Sequence, residues 1–355
     1  MRILITNNRL DLRGGAEMFV RDLARALQAR GHVVFAYSSD LGEGERLLES
    51  DVLAVSTDLE KLPFQPDIIH AQHHLDAMTA LTALPGVPAL YHCHGAVWRE
   101  AVPKHPRIYH YLAMSRTLAE RIMVESNISA DDITFWWNTV DTTRFRTVRK
   151  LPARPARGLF FNNRHGSDSE TVAAVREAAQ RCAIELDLIG NNFAKKIYDP
   201  ERVLPEYDLV FASGKCAIDA MASGCAVIVV GRTSCGEMIR PENFDQLREV
   251  NFSCAVNSPP PSAEKIENEI RRFSADDSAK VTERLRNQAD LDSSIDRLLA
   301  IYDRVRERHR ITPPDSGAES RAVSHYLRRL VPVIKELDRA QTLGHSLERN
   351  AEKFP

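Results

Sequence analysis

The sequence predicts an α/β protein built from two doubly wound, parallel-sheet domains and a helical extension. Three observations carry this. Strand-length apolar runs alternate with amphipathic helical stretches from residue 2 onward, and the same alternation restarts at 158. The stretch TVRKLPARPARG, 147–158, is aperiodic, basic and carries two prolines, the composition of an interdomain linker. A second turn-rich break, TPPDSGAES at 312–320, precedes a helical pattern of a different kind. The expected domains are 1–150, 151–312 and 313–355.

RILIT (2–6) reads as a buried strand, followed by the polar, glycine-bearing loop NNRLDLRGGAE. Phe19, Leu23, Ala26 and Leu27 then fall on one face of a helix over 19–30, and Gly31 supplies its C-terminal stop. VVFAYS (33–38), DIIHAQ (67–72), PALYHCHG (88–95) and YHYLAMS (109–115) read as further strands, with a helix over 117–126. In the second half GLFFNN (158–163) and IELDLIG (184–190) read as strands around a helix over 170–182. Helices regularly inserted between strands imply parallel pairing.

The 355 residues are 43% hydrophobic and 27% charged, with net charge -2. That balance argues against bulk attraction to nucleic acid. No run reaches the roughly 18 apolar residues a membrane-spanning helix requires. Cysteines 93, 182, 216, 225, 235 and 254 form no CxxC pair, which suits reduced thiols in the cytoplasm rather than zinc or disulfides. His70, His73 and His74 cluster at a strand end, but no carboxylate or cysteine nearby in sequence completes a metal set.

The richest segment is YDLVFASGKCAIDAMASGCAVIVVG, 207–231. It reads as strand 209–212, a turn at Gly214, helix 216–222, a turn at Gly224 and strand 226–230. A helix N-terminus offers unpaired N–H groups and a partial positive charge, a natural seat for phosphate. Lys215 adds a full charge there, although a lysine is unfavourable at that end without an anion to meet it. Asp219 lies one turn on, where it could accept hydrogen bonds from a ribose.

These features together resemble glycosyltransferase family 4, retaining enzymes of the GT-B fold, in which two Rossmann-like domains face each other across a cleft. The likeness spans roughly residues 1–300. It rests on RGGAEMFVRDLARALQARGHVV, DIIHAQHH, YHCHG, MSRTLAERI, ITFWWNTVDTTRF and DAMASGCAVIVV. The resemblance implies transfer of a sugar from a nucleotide diphosphate donor, most simply a UDP-sugar, to a glycan or glycolipid acceptor hydroxyl. It implies no metal or other cofactor. His94 is then the expected catalytic residue, orienting the donor sugar. Gly15, Arg164, Gly214, Lys215, Asp219 and Glu237 are expected to bind the donor, with Glu237 in a loop after the last strand of the segment. Arg13, Gly14 and His73 are expected on the acceptor side. His92 is expected to be structural, and Asn138 and Asp141 to shape the hinge turn.

Three departures from the family pattern stand out. Phe211 and Asp219 occupy the places of two glutamates eight residues apart. No lysine follows Arg164. Thr139 replaces the glycine after Asn138. A catalytically impaired scaffold protein of a polysaccharide assembly complex is therefore the alternative, and a sugar-nucleotide epimerase a weaker one.

In the extension, Val323, Leu327, Leu330, Ile334 and Leu337 form a heptad stripe interrupted by Pro332. Packing on the body, homodimerisation and membrane-surface contact through Arg328, Arg329 and Lys335 are the three roles open to it. The expected location is the cytoplasm, with the inner membrane face as a variant. Which sugar and which acceptor are used is not encoded in any motif.

Overall fold

The computed structural model describes residues 1–10, 15–41, 54–147, 149–163, 166, 169–195, 197, 199–254 and 258–351, apart from the side chains of 54–55 and 343–351. The expected site residues Arg13, Gly14 and Arg164 lie outside the described residues.

The N-terminal sheet contains β1 (Arg2–Thr6), β2 (Val33–Tyr37), β3 (Ala54–Ser56), β4 (Ile68–Gln72), β5 (Ala89–Cys93), β6 (Ile108–Ala113) and β7 (Ile133–Phe135), in the order β3-β2-β1-β4-β5-β6-β7. Every pairing is parallel. Strands β4 and β5 are buried along their whole length, which is why they read as near-continuous apolar runs. Helix α1 (Gly15–Ala29) turns Phe19, Val20, Leu23 and Leu27 inward. It starts four residues before the expected point and ends before Gly31, whose φ is +78°. Helices α2 (His74–Ala83) and α3 (Arg116–Ser126) follow β4 and β6. The order reverses between β1 and β4, so their C-terminal ends open a crevice at the switch point.

The second sheet contains β8 (Arg157–Phe161), β9 (Glu185–Ile189), β10 (Leu209–Ala212), β11 (Ala226–Val230) and β12 (Cys235–Met238), in the order β12-β11-β10-β8-β9. Only β12 runs antiparallel. Its helices are α4 (Glu170–Arg181), the short α5 (Pro200–Val203), α6 (Lys215–Ala222), α7 (Phe244–Glu249), α8 (Ala263–Ile270) and α9 (Ala275–Ala289).

The chain crosses between the domains twice. The first crossing lies upstream of the expected break at 147–158. Val140 and Phe145 are already buried in the core of the second domain, and Leu151 packs there too. The prolines and basic residues of that break mark a connection running over the second domain. The second crossing follows α9. Val140 N–H donates to Ala289 O at 2.8 Å, and Leu291 N–H donates to Val140 O at 2.9 Å, so the two crossings form a single parallel bridge. Helix α10 (Leu291–Ile311) then returns to the first domain. Its Leu291, Ile295, Leu298, Ile301, Tyr302 and Val305 join Phe19, Leu23 and Leu27 of α1 in one core.

Helix α11 (Ser316–Ala351) runs through Pro332 without a break. Its first half lies on the N-terminal domain. Glu319 pairs with the buried guanidinium of Arg107 at 2.9 Å, and Tyr326 OH meets His74 Nδ1 at 2.8 Å. Val323 is half-buried there, while Leu327, Ile334 and Leu337 of the expected stripe are exposed. No helix among the described residues is long and apolar enough to cross a membrane.

Candidate active site

The C-terminal ends of β4 and β5 hold a linked set of polar side chains. Tyr302 OH, from α10, lies 2.7 Å from His70 Nδ1, and His70 Nε2 lies 3.3 Å from His92 Nδ1. The three groups form one relay whose tautomers are coupled, running from Tyr302 through His70 to His92 or the reverse, and in either direction His92 Nε2 is left over. That nitrogen and Gln72 Nε2 are buried without a hydrogen-bond partner. Unpaired buried polar atoms are rare and call for a partner such as a water or a ligand. Burial holds His70 down to about 3 and His92 well below its usual value, so both rings are neutral near pH 7.

His94 extends this set. Its ring stacks on His92 with centroids 4.2 Å apart and packs edge-on to Phe19. Its Nε2 bonds Gln72 Oε1, and its Nδ1 lies 3.0 Å from Met114 Sδ. Both ring nitrogens are thus engaged, so contact with a sugar requires exchanging one of these partners. Desolvation lowers the imidazole to about 4, against the opposing pull of Glu100.

Glu100 was missed from sequence. It sits in a short 3-10 turn after Trp98 and is 4% exposed. One oxygen accepts from His94 N–H at 3.1 Å, and the other pairs with His73 Nε2 at 3.1 Å. Burial alone would raise this carboxyl, but the His73 hydrogen bond, the nearby His94 and the backbone donor bring it down to about 2. His73, at φ +54°, caps α2 and also accepts from Asn8 N–H at 3.1 Å. Its two nitrogens therefore bind the loop after β1 and Glu100 rather than facing outward.

The second domain presents the N-terminus of α6. Gly214 has φ +57°, ψ -130°, a conformation that only glycine adopts readily, and it forms the N-cap. Lys215 Nζ pairs with Asp219 Oδ1 one turn along the helix. Lys215 also lies 5.6 Å above the Phe145 ring. Asp219 is 6% exposed, and burial pushes its carboxyl up, opposed by Lys215 and Arg144. A Cβ built on Gly15 would lie 3.8 Å from Lys215 Cβ, so the starts of α1 and α6 face each other across the domain boundary. The structure therefore brings Gly15, Gly214, Lys215 and Asp219 together.

Three further residues carry no signal in the sequence. Arg144, just after the first crossing, pairs with Asp22 of α1 at 2.9 Å and with Glu201 of α5 at 3.2 Å. All three are largely buried, and they join the two domains beside the Lys215–Asp219 pair. Asp141 shapes this turn, as expected, by accepting from Thr143 N–H and Arg144 N–H at 3.0 Å. Asn138 N–H donates to Asn251 Oδ1 at 3.3 Å. Trp136 is core.

Phe211 lies in the strand the sequence predicts, whereas Glu237 does not lie in the loop expected of it. Phe211 lies in the middle of β10 and is wholly buried. Strand and helix are joined there by Ser213 and Gly214 alone, too short a loop to place a carboxylate eight residues before Asp219 in the cleft. Glu237 lies in strand β12, not in a loop. The chain doubles back after Gly231 so that Met238 pairs with Ile228, and the Glu237 carboxylate accepts from Asn243 Nδ2 at 3.1 Å. Among the described residues no group of three or more metal-binding side chains is present.

Two Rossmann-like domains, a cleft at their facing strand ends and a final helix returning to the first domain define the GT-B class. Residues 13–144 match the sequence profile of Glycosyltransferase Family 4, and the chain has the GT-B fold. No curated protein matches it. Among solved structures it resembles HepE from Anabaena in complex with UDP, at 15% identity and TM-score 0.60, over 84% of this chain and 100% of that one. A glycosyltransferase from Rickettsia africae aligns at 14% identity and TM-score 0.61, over 86% and 98%. Sucrose-phosphate synthase from Thermosynechococcus elongatus aligns at 15% identity and TM-score 0.55, over 86% and 98%.

Proposed function

We propose that this protein is a retaining, metal-independent glycosyltransferase that uses a nucleotide diphosphate sugar, most simply UDP-linked, and a glycan or glycolipid acceptor. The observation that carries the reading is the meeting of Gly15, Lys215 and Asp219 where the two domains face each other. The donor occupies the second domain. Its diphosphate takes Lys215 from Asp219 and lies at the start of α6, with Arg164 as a further cation. Asp219, released from the lysine, accepts from the ribose hydroxyls. Fixed dipoles and cations thus meet the charge that develops on the leaving diphosphate. The acceptor hydroxyl attacks the anomeric carbon from the face the diphosphate leaves, its proton passes to the departing phosphate oxygen, and the configuration is kept. Neutral His94, supported by Gln72 and Glu100, orients the sugar. The acceptor lies against the first domain, near Arg13, Gly14 and His73.

The test is calorimetric titration with UDP, GDP, ADP and dTDP, with and without magnesium, on the wild type and Lys215→Ala. Selective binding that ignores magnesium and is lost in the variant supports the reading, and no nucleotide binding overturns it. The engagement of Lys215 by Asp219 and of both His94 nitrogens favours a second reading, a nucleotide-binding scaffold without turnover. UDP binding with no release of UDP from any UDP-sugar, with or without acceptors, would establish that alternative.

A further inference from the structure

Helix α11 does not lie flush on the N-terminal domain. Between them runs a groove of about 830 Å³. Its apolar walls include Val102, Ile128, Leu330 and Val333, with Trp98 and Tyr326 at the end nearer the candidate active site. Lys104, Arg321, His325 and Arg329 also line it, and no carboxylate does among the described residues. Lys104 and Arg329 have no ion-pair partner among the described residues, and Arg321 has only Asp315, at 4.0 Å. Here His74, 4% exposed, bonds Tyr326 through Nδ1 and leaves its buried Nε2 without a hydrogen-bond partner.

The surface around the groove has the same character. Val97 and Trp98 are 50% and 47% exposed, with Arg99 beside them. Elsewhere on α11, Leu327, Val331 and Ile334 are also about half exposed, the first two lining a second groove with Leu81 and Pro85. Arg321, Arg328 and Lys335 recur at seven-residue intervals along the flank of that stripe, hence on one face of the helix. Apolar side chains beside unpaired cations suit the boundary between lipid headgroups and acyl chains. A second copy of the chain fits less well, because an antiparallel pair of α11 helices would set this basic row against itself.

We propose that the groove under α11 binds the phosphate end of an anionic membrane lipid, and that this face docks the protein on an anionic membrane surface. The cations hold the phosphate, and the apolar walls take the first carbons of the chains. The inference is independent of the donor reading.

The experiment is co-sedimentation of the full chain with vesicles of phosphatidylcholine alone and of equal parts phosphatidylcholine and phosphatidylglycerol. Binding is expected only to the mixed vesicles. It should weaken at least about tenfold in Lys104→Glu/Arg329→Glu, since each basic side chain at such a surface contributes measurably. Val333→Asp should weaken it too, while Lys280→Glu, on the far domain, should not. Circular dichroism and the UDP titration identify any variant that has merely unfolded. The proposal is overturned if neither vesicle binds, if Lys280→Glu loses as much as the double variant, or if inorganic phosphate alone displaces the protein. A lipid-free dimer broken by Leu327→Asp/Ile334→Asp, with no vesicle binding, would assign the surface to a second copy instead.

Discussion

Tyr302 and His70 are joined by a 2.7 Å hydrogen bond, although 232 residues separate them in sequence. The bond ties the returning helix α10 to the strand end at which the candidate acceptor side begins. It also couples the tautomer of His70 to that of His92. Tyr302→Phe removes the hydroxyl and leaves His70 Nδ1 unsatisfied in a fully buried place. The expected loss is about 1–3 kcal/mol of stability, read by denaturant unfolding, with UDP affinity unchanged. A variant as stable as the wild type would show that the contact is dispensable.

Lys215 and Asp219 respond differently to removal. In the proposed donor pose, Lys215→Ala takes away a charge-assisted contact to the diphosphate, worth roughly tenfold or more in affinity. Asp219→Ala instead removes the ribose acceptor. The wild type is expected to prefer UDP to 2′-deoxy-UDP, and Asp219→Ala to bind the two alike. Calorimetric affinities for both nucleotides check this. An unchanged preference would move the ribose site elsewhere.

Arg144 bridges Asp22 of the first domain and Glu201 of the second. Truncating it leaves Asp22, only 6% exposed, without its interdomain partner. Breaking a buried pair from one side costs about 3 kcal/mol, so Arg144→Ala should unfold at clearly lower denaturant. The companion Asp22→Asn/Arg144→Met should recover part of that loss. If Arg144→Ala proves neutral, the cluster does not join the domains energetically.

The buried histidines make stability fall in mild acid. His70 is held at about 3 and His94 at about 4 in the folded chain, whereas both take protons near 6.5 once unfolded. Below about pH 6.5 the unfolded state therefore binds more protons. Each such histidine then removes up to about 1.4 kcal/mol per pH unit until its folded value is reached. Glu100 works in a lower window. Its folded value, about 2, lies below the ordinary range. Its contribution is present above about pH 4.3 and is lost as pH falls towards 2. Unfolding free energies measured from pH 7.5 to 5 should fall steadily, and a flat profile would contradict the neutral histidine set.

Much of this architecture is legible locally. Strands β1, β4 and β5 announce themselves because they are buried on both faces, and Gly214 because the turn into α6 needs a positive φ. Lys215 is conspicuous because a cation at a helix start asks for an anion. Glu100 and Arg144 carry no such local signal. Their partners, His73 and Asp22, are distant in sequence, and a lone charged residue in a loop looks the same whether it is solvated or buried. Helix α10 falls within the expected second domain, 151–312, yet packs on the first: an amphipathic stripe shows that a face is buried but not against what. Glu237 misleads for another reason: a loop is expected after β11, but the chain doubles back to add the antiparallel edge strand β12.

Because the two interdomain crossings at Val140 and Asp290 lie side by side, the halves are joined like a book bound along one narrow spine. Opening and closing about that line is permitted, while twisting one cover against the other would shear the paired backbones.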